Sequence, residues 1–418
     1  MSVYNFFGVG FFLVFSFVVL LLLLFSGNSF IFDSLLLIGS EVFVFDSISF
    51  YLLLLVLLLG LCSQFSFVYY LSNSVRFWLF ISLIFSCLCF CINHSVLFWC
   101  LYELSMLPLL YLIFKESPYS ERFLAGWYFA SYLLVTSLPL ILILLYISYI
   151  NGSFIIGSWS VESGYNVIIY VILCFVFFTK VPLVPFHTWL PIVHAEATSI
   201  VSIFLSGYIM KLGLLGVYRC CFFLFDCGFL FYLFLCVLFC LGFFCCSSTE
   251  LDGKRWLAFL SLAHIVVPFV GFYLIGWDNI SIVFLYCLGH GLSAGLVFGL
   301  LWCFYDISNT RNWVLLKSSI SGKCLLYIVC FSLLSLCSFP TTIQFFCEVS
   351  LVMFSLSNII YMLFWLFYLF FSGLIPLVMC GFLLIRNEQV ETCGYSFYGF
   401  LNFLFYMLVW CYFGVFFM

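Results

Sequence analysis

Long apolar segments divided by short polar ones constrain this chain more than any single motif does. Of its 418 residues, 67% are hydrophobic and 7% are charged, whereas soluble domains carry roughly 45–50% apolar residues. A helix needs about 20 apolar residues to cross the hydrocarbon core of a bilayer. About 13 such runs can be drawn, near 5–25, 47–70, 77–93, 95–114, 123–148, 166–180, 197–220, 228–246, 256–276, 280–304, 324–356, 359–385 and 397–417. Polar stretches separate them, clearest at 26–46, 115–122, 151–164, 247–255, 305–323 and 386–396. Membrane-spanning strands would be about ten residues long with alternating polarity. The expected class is therefore all-α: a polytopic membrane helical bundle of about 13 transmembrane helices, with almost nothing left for a soluble domain.

Several function classes fall away on composition. The net charge is −4 and the 12 Lys and Arg are scattered, so no basic patch exists to grip nucleic acid. The 22 cysteines lie within apolar runs or as neighbours such as Cys220 and Cys221. There they behave as small hydrophobes, not as a disulfide or zinc framework. GLLG at 213–216 follows no strand and is no nucleotide loop. No charge precedes Asp33 and no basic residue precedes Arg76. A signal or transit peptide would carry positive charge there, so the run at 5–25 is expected to stay as a spanning helix. The 60 phenylalanines, with few Lys and Ala, are the kind of bias an organelle gene carries.

Two helices should be interrupted. In KVPLVPFHTWLP (180–191), Pro182, Pro185 and Pro191 each lack an N–H and clash with the preceding turn. In SFPTT (338–342), Pro340 does the same. Non-helical backbone at membrane depth persists only where protein or water satisfies it, and broken helices near the midplane mark ion sites in transporters. Lys180 stands beside the first break and Glu348 just past the second.

Ionisable side chains within these runs are the candidate machinery. A charge at the centre of a spanning helix costs about 2.5–3.5 kcal/mol on insertion scales. Glu103 lies deep in HSVLFWCLYELSMLPLLYLIF and needs a cationic partner or a proton. Lys211 lies deep in IVSIFLSGYIMKLGLLGVYR, too far in to snorkel, flanked by Gly207, Gly213 and Gly216 that allow close helix contact or room for water. His264 and His290 sit singly in neighbouring helices, with Gly289, Gly291 and Gly295 making space around the latter. Histidine titrates near neutrality. Glu103, Lys180, Lys211, His264, His290 and Glu348 together read as a proton or ion relay. The five histidines give no two pairs at a common spacing, which excludes a two-haem bundle. His187, His194 and Glu196 lack a further ligand at metal spacing, so a hydrogen-bonded lining of the first break is expected there. The other charges, among them Lys115, Glu116, Glu121, Arg122, Asp252, Lys254, Arg255, Lys317, Lys323, Arg386 and Glu388, are expected on solvated faces or partner contacts.

Seven segments carry a resemblance. YELSMLPLLYLI, ESPYSERFLAGWYF, TKVPLVPFHTWLPIVHAEA, SGYIMKLGLLGVYR, KRWLAFLSLAHI, LGHGLSAGLVFG and FPTTIQFFCEVSLV, in that order, resemble the antiporter-like proton-pumping membrane subunits of mitochondrial NADH–ubiquinone oxidoreductase (respiratory complex I). The resemblance covers about residues 45–385 and implies a bundle of two inverted repeats, each with one broken helix. It divides a single transmembrane domain (1–418) into N-terminal helices (1–75), a first repeat (76–222), a second repeat (228–385) and a C-terminal helix (386–418). The family has 14 helices, so the N-terminal part is expected to be one helix short. Carried over by motif, Glu103, Lys180 and Lys211 match the acid, broken-helix lysine and central lysine of the first half. His264 and His290 match the bridging histidines and Glu348 the exit-side acid. There are two departures near His194: Ile192 stands where the family often has lysine, which removes a cation, and Thr198 where it often has proline.

The resemblance also implies partners and place. This chain would bind no cofactor and no metal, while NADH, flavin (FMN), iron–sulfur clusters and ubiquinone belong to partner subunits. Those partners are other complex I membrane subunits, including neighbouring antiporter-like chains, together with membrane lipids, in the mitochondrial inner membrane. In the leading reading, Lys211 takes a proton through water near Lys180, Glu103 tunes it, and the proton leaves through His264 and His290 toward Glu348. Groups coupled this closely titrate as a set. A stand-alone cation/proton antiporter would use the same residues. A structural subunit whose buried charges lock helices together is the third reading.

Overall fold

The computed structural model describes residues 42–68, 70–159, 167–226, 230–275, 279–317, 323–356, 359–385 and 397–417. The expected helix at 5–25 and the polar stretch at 386–396 lie outside them, as do Asp33, Glu41, Arg386 and Glu388. The remaining apolar runs are helices: α1 (Ser47–Ser66), α2 (Asn73–Cys91), α3 (Ser95–Glu116), α4 (Arg122–Asn151), α5 (Val167–Lys180), α6 (Trp189–Glu196), α7 (Ser199–Phe225), α8 (Leu230–Thr249), α9 (Gly253–Leu274), α10 (Ser281–Ser308), α11 (Lys323–Leu336), α12 (Ile343–Ser355), α13 (Ile359–Leu384) and α14 (Phe397–Phe413). Ten helices among the described residues are long and apolar enough to cross a membrane. The chain is a multi-pass membrane protein.

Local chemistry sets the helix ends. Asp46 caps α1, accepting from the Ser49 N–H while the Ser49 hydroxyl oxygen accepts from the Asp46 N–H. Ser72 and Thr342 cap α2 and α12 through their hydroxyls. Gly152 and Asn309 end α4 and α10 in the left-handed region.

Both expected breaks occur. Turns over 181–188 separate α5 from α6, and turns over 337–342 separate α11 from α12. Pro191 does not contribute to the first: it is the third residue of α6, in the first turn, where a missing N–H removes no helical bond. Pro108, Pro268 and Pro376 lie inside unbroken helices, so proline alone does not decide where this bundle is interrupted. Loop contacts gather at two ends. Val44 and Asn93 bond backbone to backbone with Cys91 and Val42, and Arg219 caps the Phe90 carbonyl, at one end. Gly253 pairs with Arg311 and Trp313 with Leu251 at the other. As successive helices alternate between these ends, α5–α6 and α11–α12 run in opposite senses, the arrangement that inverted repeats require.

α10 is the hub, packed against α1, α7, α9, α11, α12 and α14. α7 is buried along its whole hydrophobic window, whereas only a third of the windows of α4 and α13 is buried. The glycines beside Lys211 give close helix contact, and those around His290, expected to make space, are packed as well. A Cβ at Gly213 would lie 2.5 Å from Val181 Cγ2, and one at Gly295 2.5 Å from Leu59 Cδ2. At Gly289 a Cβ would stand 3.0 Å from the Gln344 backbone nitrogen and 3.3 Å from its Cα, so α10 approaches the second break backbone to backbone. Gly289→Ala is expected to destabilise the fold by about 1–3 kcal/mol, the usual range for overpacking, read as a lower thermal midpoint of the solubilised protein. Gly373→Ala, where a Cβ meets nothing within 4 Å, should not lower it.

Candidate functional site

A helix that stops inside an apolar bundle leaves carbonyls needing donors. At the first break these come from side chains. The Trp189 indole donates to the Thr179 carbonyl at 3.1 Å and the Tyr232 hydroxyl to the Val184 carbonyl at 2.6 Å. α4 supplies more. Its turn Ser131–Val135 is a wide π-helical turn, and such turns displace carbonyls from the ordinary ladder. Lys180 Nζ donates to one of them, the Leu133 carbonyl, at 2.9 Å. Thr136 and Thr179 pair through their hydroxyls at 3.2 Å, as do Tyr132 and Thr188 at 3.1 Å.

Lys180 also meets the expected acid. Its Nζ lies 3.1 Å from Glu103 Oε1 and 4.5 Å from the centroid of the Tyr102 ring. Among the described residues Glu103 Oε2 and the Tyr102 hydroxyl have no hydrogen-bond partner. Lys211 lies one helix away. A second π-helical turn, Leu205–Ile209 within α7, precedes it, and its Nζ donates to the Ser206 carbonyl at 2.5 Å. Among the described residues no carboxylate lies within ion-pair distance of Lys211, and no hydrogen bond joins it to His264 or His290.

The second break is served by hydrogen bonds. His264 and His290 face each other with ring centroids 5.2 Å apart. His264 Nδ1 is 2.5 Å from the Tyr368 hydroxyl, which donates to Glu348 Oε1 at 3.2 Å. The Tyr286 hydroxyl is 3.0 Å from that of Tyr368. Gln344, one turn before Glu348, donates to the same Oε1 at 3.1 Å and accepts from Ser293 at 3.3 Å. Both nitrogens of His290 lack partners among the described residues. The six sequence-derived residues are all interior: Lys180, Lys211 and His264 are 0% exposed, Glu348 1%, His290 2% and Glu103 8%, so none faces lipid.

Residues 93–375 match the family described as NADH:quinone oxidoreductase/Mrp antiporter, TM. The chain belongs to this family. It is 29% identical over 316 residues to NADH-ubiquinone oxidoreductase chain 4 of Locusta migratoria, covering 74% of this chain and 71% of the relative. It is 28% identical over 289 residues to the same-named protein of Rhipicephalus sanguineus, covering 68% and 65%. In each case the match stops short of the relative's full length. The fold is similar to that of a chain in respiratory complex I from Thermus thermophilus with bound NADH, with TM-score 0.80, 19% identity and coverage of 90% of this chain and 83% of that one. The antiporter-like bundle anticipated from the motifs is thus the family's fold.

Three expectations of the sequence are corrected. Lys254 is 3% exposed, not on a solvated face. Its Nζ donates to the Ala197 carbonyl at 2.8 Å, just past the end of α6, where carbonyls attract cations. Arg311 joins it, bonding the Ala195 carbonyl and pairing with Glu196 at 3.4 Å and Asp252 at 3.5 Å. Next, His187 and His194 do not form a hydrogen-bonded lining. His194 stacks on Phe298 with both nitrogens unpartnered, and His187 packs on Phe243. Finally, the glycines near His290 are filled, as described above. The residues that sequence reasoning passed over are Tyr102, Tyr286, Tyr368, Gln344 and Ser293. Gln344 was legible at i−4 from Glu348. The tyrosines were not, because 26 tyrosines are spread through the chain.

Removing one partner of a buried ion pair costs about 3–5 kcal/mol, whereas replacing both with apolar groups is often neutral. Glu103→Leu alone is therefore expected to destabilise the protein by about that amount. Glu103→Leu with Lys180→Met should recover most of the loss. A double-mutant cycle on thermal midpoints checks this, and additive losses would show that the two side chains are not coupled.

Proposed function

We propose that this chain is a proton-translocating membrane subunit of a respiratory NADH:ubiquinone oxidoreductase, in the mitochondrial inner membrane. Protons move along Glu103, Lys180, Lys211, His264, His290 and Glu348. Electron transfer, with NADH, FMN, iron–sulfur clusters and ubiquinone, takes place in partner subunits, and this chain binds no cofactor itself. Its neighbours are other membrane subunits of the complex, antiporter-like chains among them. The functional halves are 76–222 and 228–385, flanked by 1–75 and 386–418.

The observation that carries this reading is the placement of titratable side chains against both helix breaks, inside an apolar bundle and away from lipid. An ion pair at one break and a hydrogen-bonded acid at the other give a proton two defined stations. Lys211, with no acid within ion-pair distance among the described residues, stands on the buried helix α7. In a low-dielectric interior, moving a charge at one station changes the free energy of charge at the next. That is the coupling a pump needs, with a conformational change elsewhere supplying the bias.

A second reading is supported by the family itself, which spans oxidoreductase subunits and Mrp antiporters. A stand-alone cation/proton antiporter would exchange sodium for protons when the purified chain is placed alone in liposomes.

The test uses the whole complex in proteoliposomes. Lys211→Met keeps an unbranched side chain one atom shorter and removes the charge. It is expected to leave assembly intact and to lower the number of protons moved per NADH oxidised. An unchanged ratio in the assembled variant would remove Lys211, and this mechanism, from the pathway.

A further inference from the structure

His264 and Glu348 stand on α9 and α12, and among the described residues no hydrogen bond joins them directly. The link is made from a third helix. Tyr368 on α13 is 0% exposed, although only a third of that helix's hydrophobic window is buried. Its hydroxyl lies 2.5 Å from His264 Nδ1 and 3.2 Å from Glu348 Oε1. Tyr286, one turn before His290 on α10, places its own hydroxyl 3.0 Å from that of Tyr368 and 3.4 Å from His264 Nδ1. A phenolic hydroxyl both donates and accepts, so it can take a proton on one side while giving one on the other.

We propose that Tyr368 is a relay residue that carries the proton between His264 and Glu348, so that this step runs through a side-chain hydroxyl. The inference rests on the reading of the chain as a proton translocator and names the group that completes its second half. The balance is simple. The Nδ1–H bond of a His264 imidazolium breaks and an O–H bond forms at Tyr368. The original Tyr368 O–H bond breaks and an O–H bond forms at Glu348 Oε1. Imidazolium and carboxylate become imidazole and carboxylic acid, the phenol is regenerated and no electron moves. Rotation of the hydroxyl resets the bridge once Glu348 has passed its proton on.

The alternative is that this tyrosine merely pins α13 to the core. Tyr368→Phe separates the two, because it keeps the ring and removes only the hydroxyl. The experiment compares Tyr368→Phe, Lys211→Met and the unmodified complex in proteoliposomes, measuring assembly, NADH oxidation and protons moved per NADH. The expected result is an assembled Tyr368→Phe complex whose proton ratio falls to that of Lys211→Met. A full ratio in Tyr368→Phe beside a lowered one in Lys211→Met overturns the relay and leaves the translocator reading standing. Full ratios in both overturn the translocator reading and the relay with it. If Tyr368→Phe does not assemble, a ring-fluorinated tyrosine at 368 keeps the shape and alters only the acidity of the hydroxyl. A changed proton-translocation rate then supports the relay, and an unchanged rate overturns it.

Discussion

Backbone groups freed inside an apolar bundle must find partners, and most of this molecule's polar architecture follows from that need. Two helices stop at mid-bundle, and an unsatisfied amide or carbonyl there carries a penalty of several kcal/mol. Lys180, Trp189 and Tyr232 serve the carbonyls of the first break and the π-helical turn beside it. Lys254 and Arg311 serve those at the end of α6. The side chains that make the fold tolerable thus include the ones able to hold a proton. Structure and chemistry share residues, which is why paired replacements, and ratios measured in assembled complexes, are needed to separate them.

The two halves solve the problem differently. In the first, charge meets charge: Glu103 and Lys180 form a buried ion pair, steadied by a carbonyl and a ring face. In the second, imidazole, phenol and carboxyl are linked by hydrogen bonds, with no cation bonded to Glu348 among the described residues. An ion pair holds its proton distribution firmly, because Coulomb attraction is strong where the dielectric is low. A chain of hydrogen-bonded donors and acceptors passes a proton by exchanging the bonds between neighbours. Lys211 lies between these regimes.

The fold was legible because membrane helices announce themselves by length. Every apolar run within the described residues is a helix, and Pro340 and the Pro182–Pro185 pair mark the breaks. Pro108, Pro268 and Pro376 show the limit of that signal, since neighbouring helices re-satisfy what a proline frees. The ionisable residues were legible because a charge in an apolar run is conspicuous. Tyr368 was not, since its value comes from which helix faces it and not from its type. The π-helical turns at 131–135 and 205–209 left no sequence mark, although each supplies the carbonyl that receives a lysine. Lys254 was misplaced for a related reason: it sits next to a polar loop, and only the three-dimensional end of α6 explains why it is drawn inward.

The least connected point is the passage from Lys211 to the histidines. Both π-helical turns matter here. Held by the Ser206 carbonyl, the Lys211 ammonium is tied to its own helix, while Leu59 and Val181 occupy the flanking glycine surfaces. A lysine carries its charge on a flexible four-carbon stem, so the ammonium can leave that carbonyl without any movement of the backbone. What then decides its direction is the charge it senses on either side. In the proposed relay Glu103 would draw it one way only when Lys180 does not already hold that carboxylate. In the proposed relay the ion pair in the first half would act on Lys211 by being made or broken, and the histidine–tyrosine–glutamate chain would receive the proton once Lys211 is released.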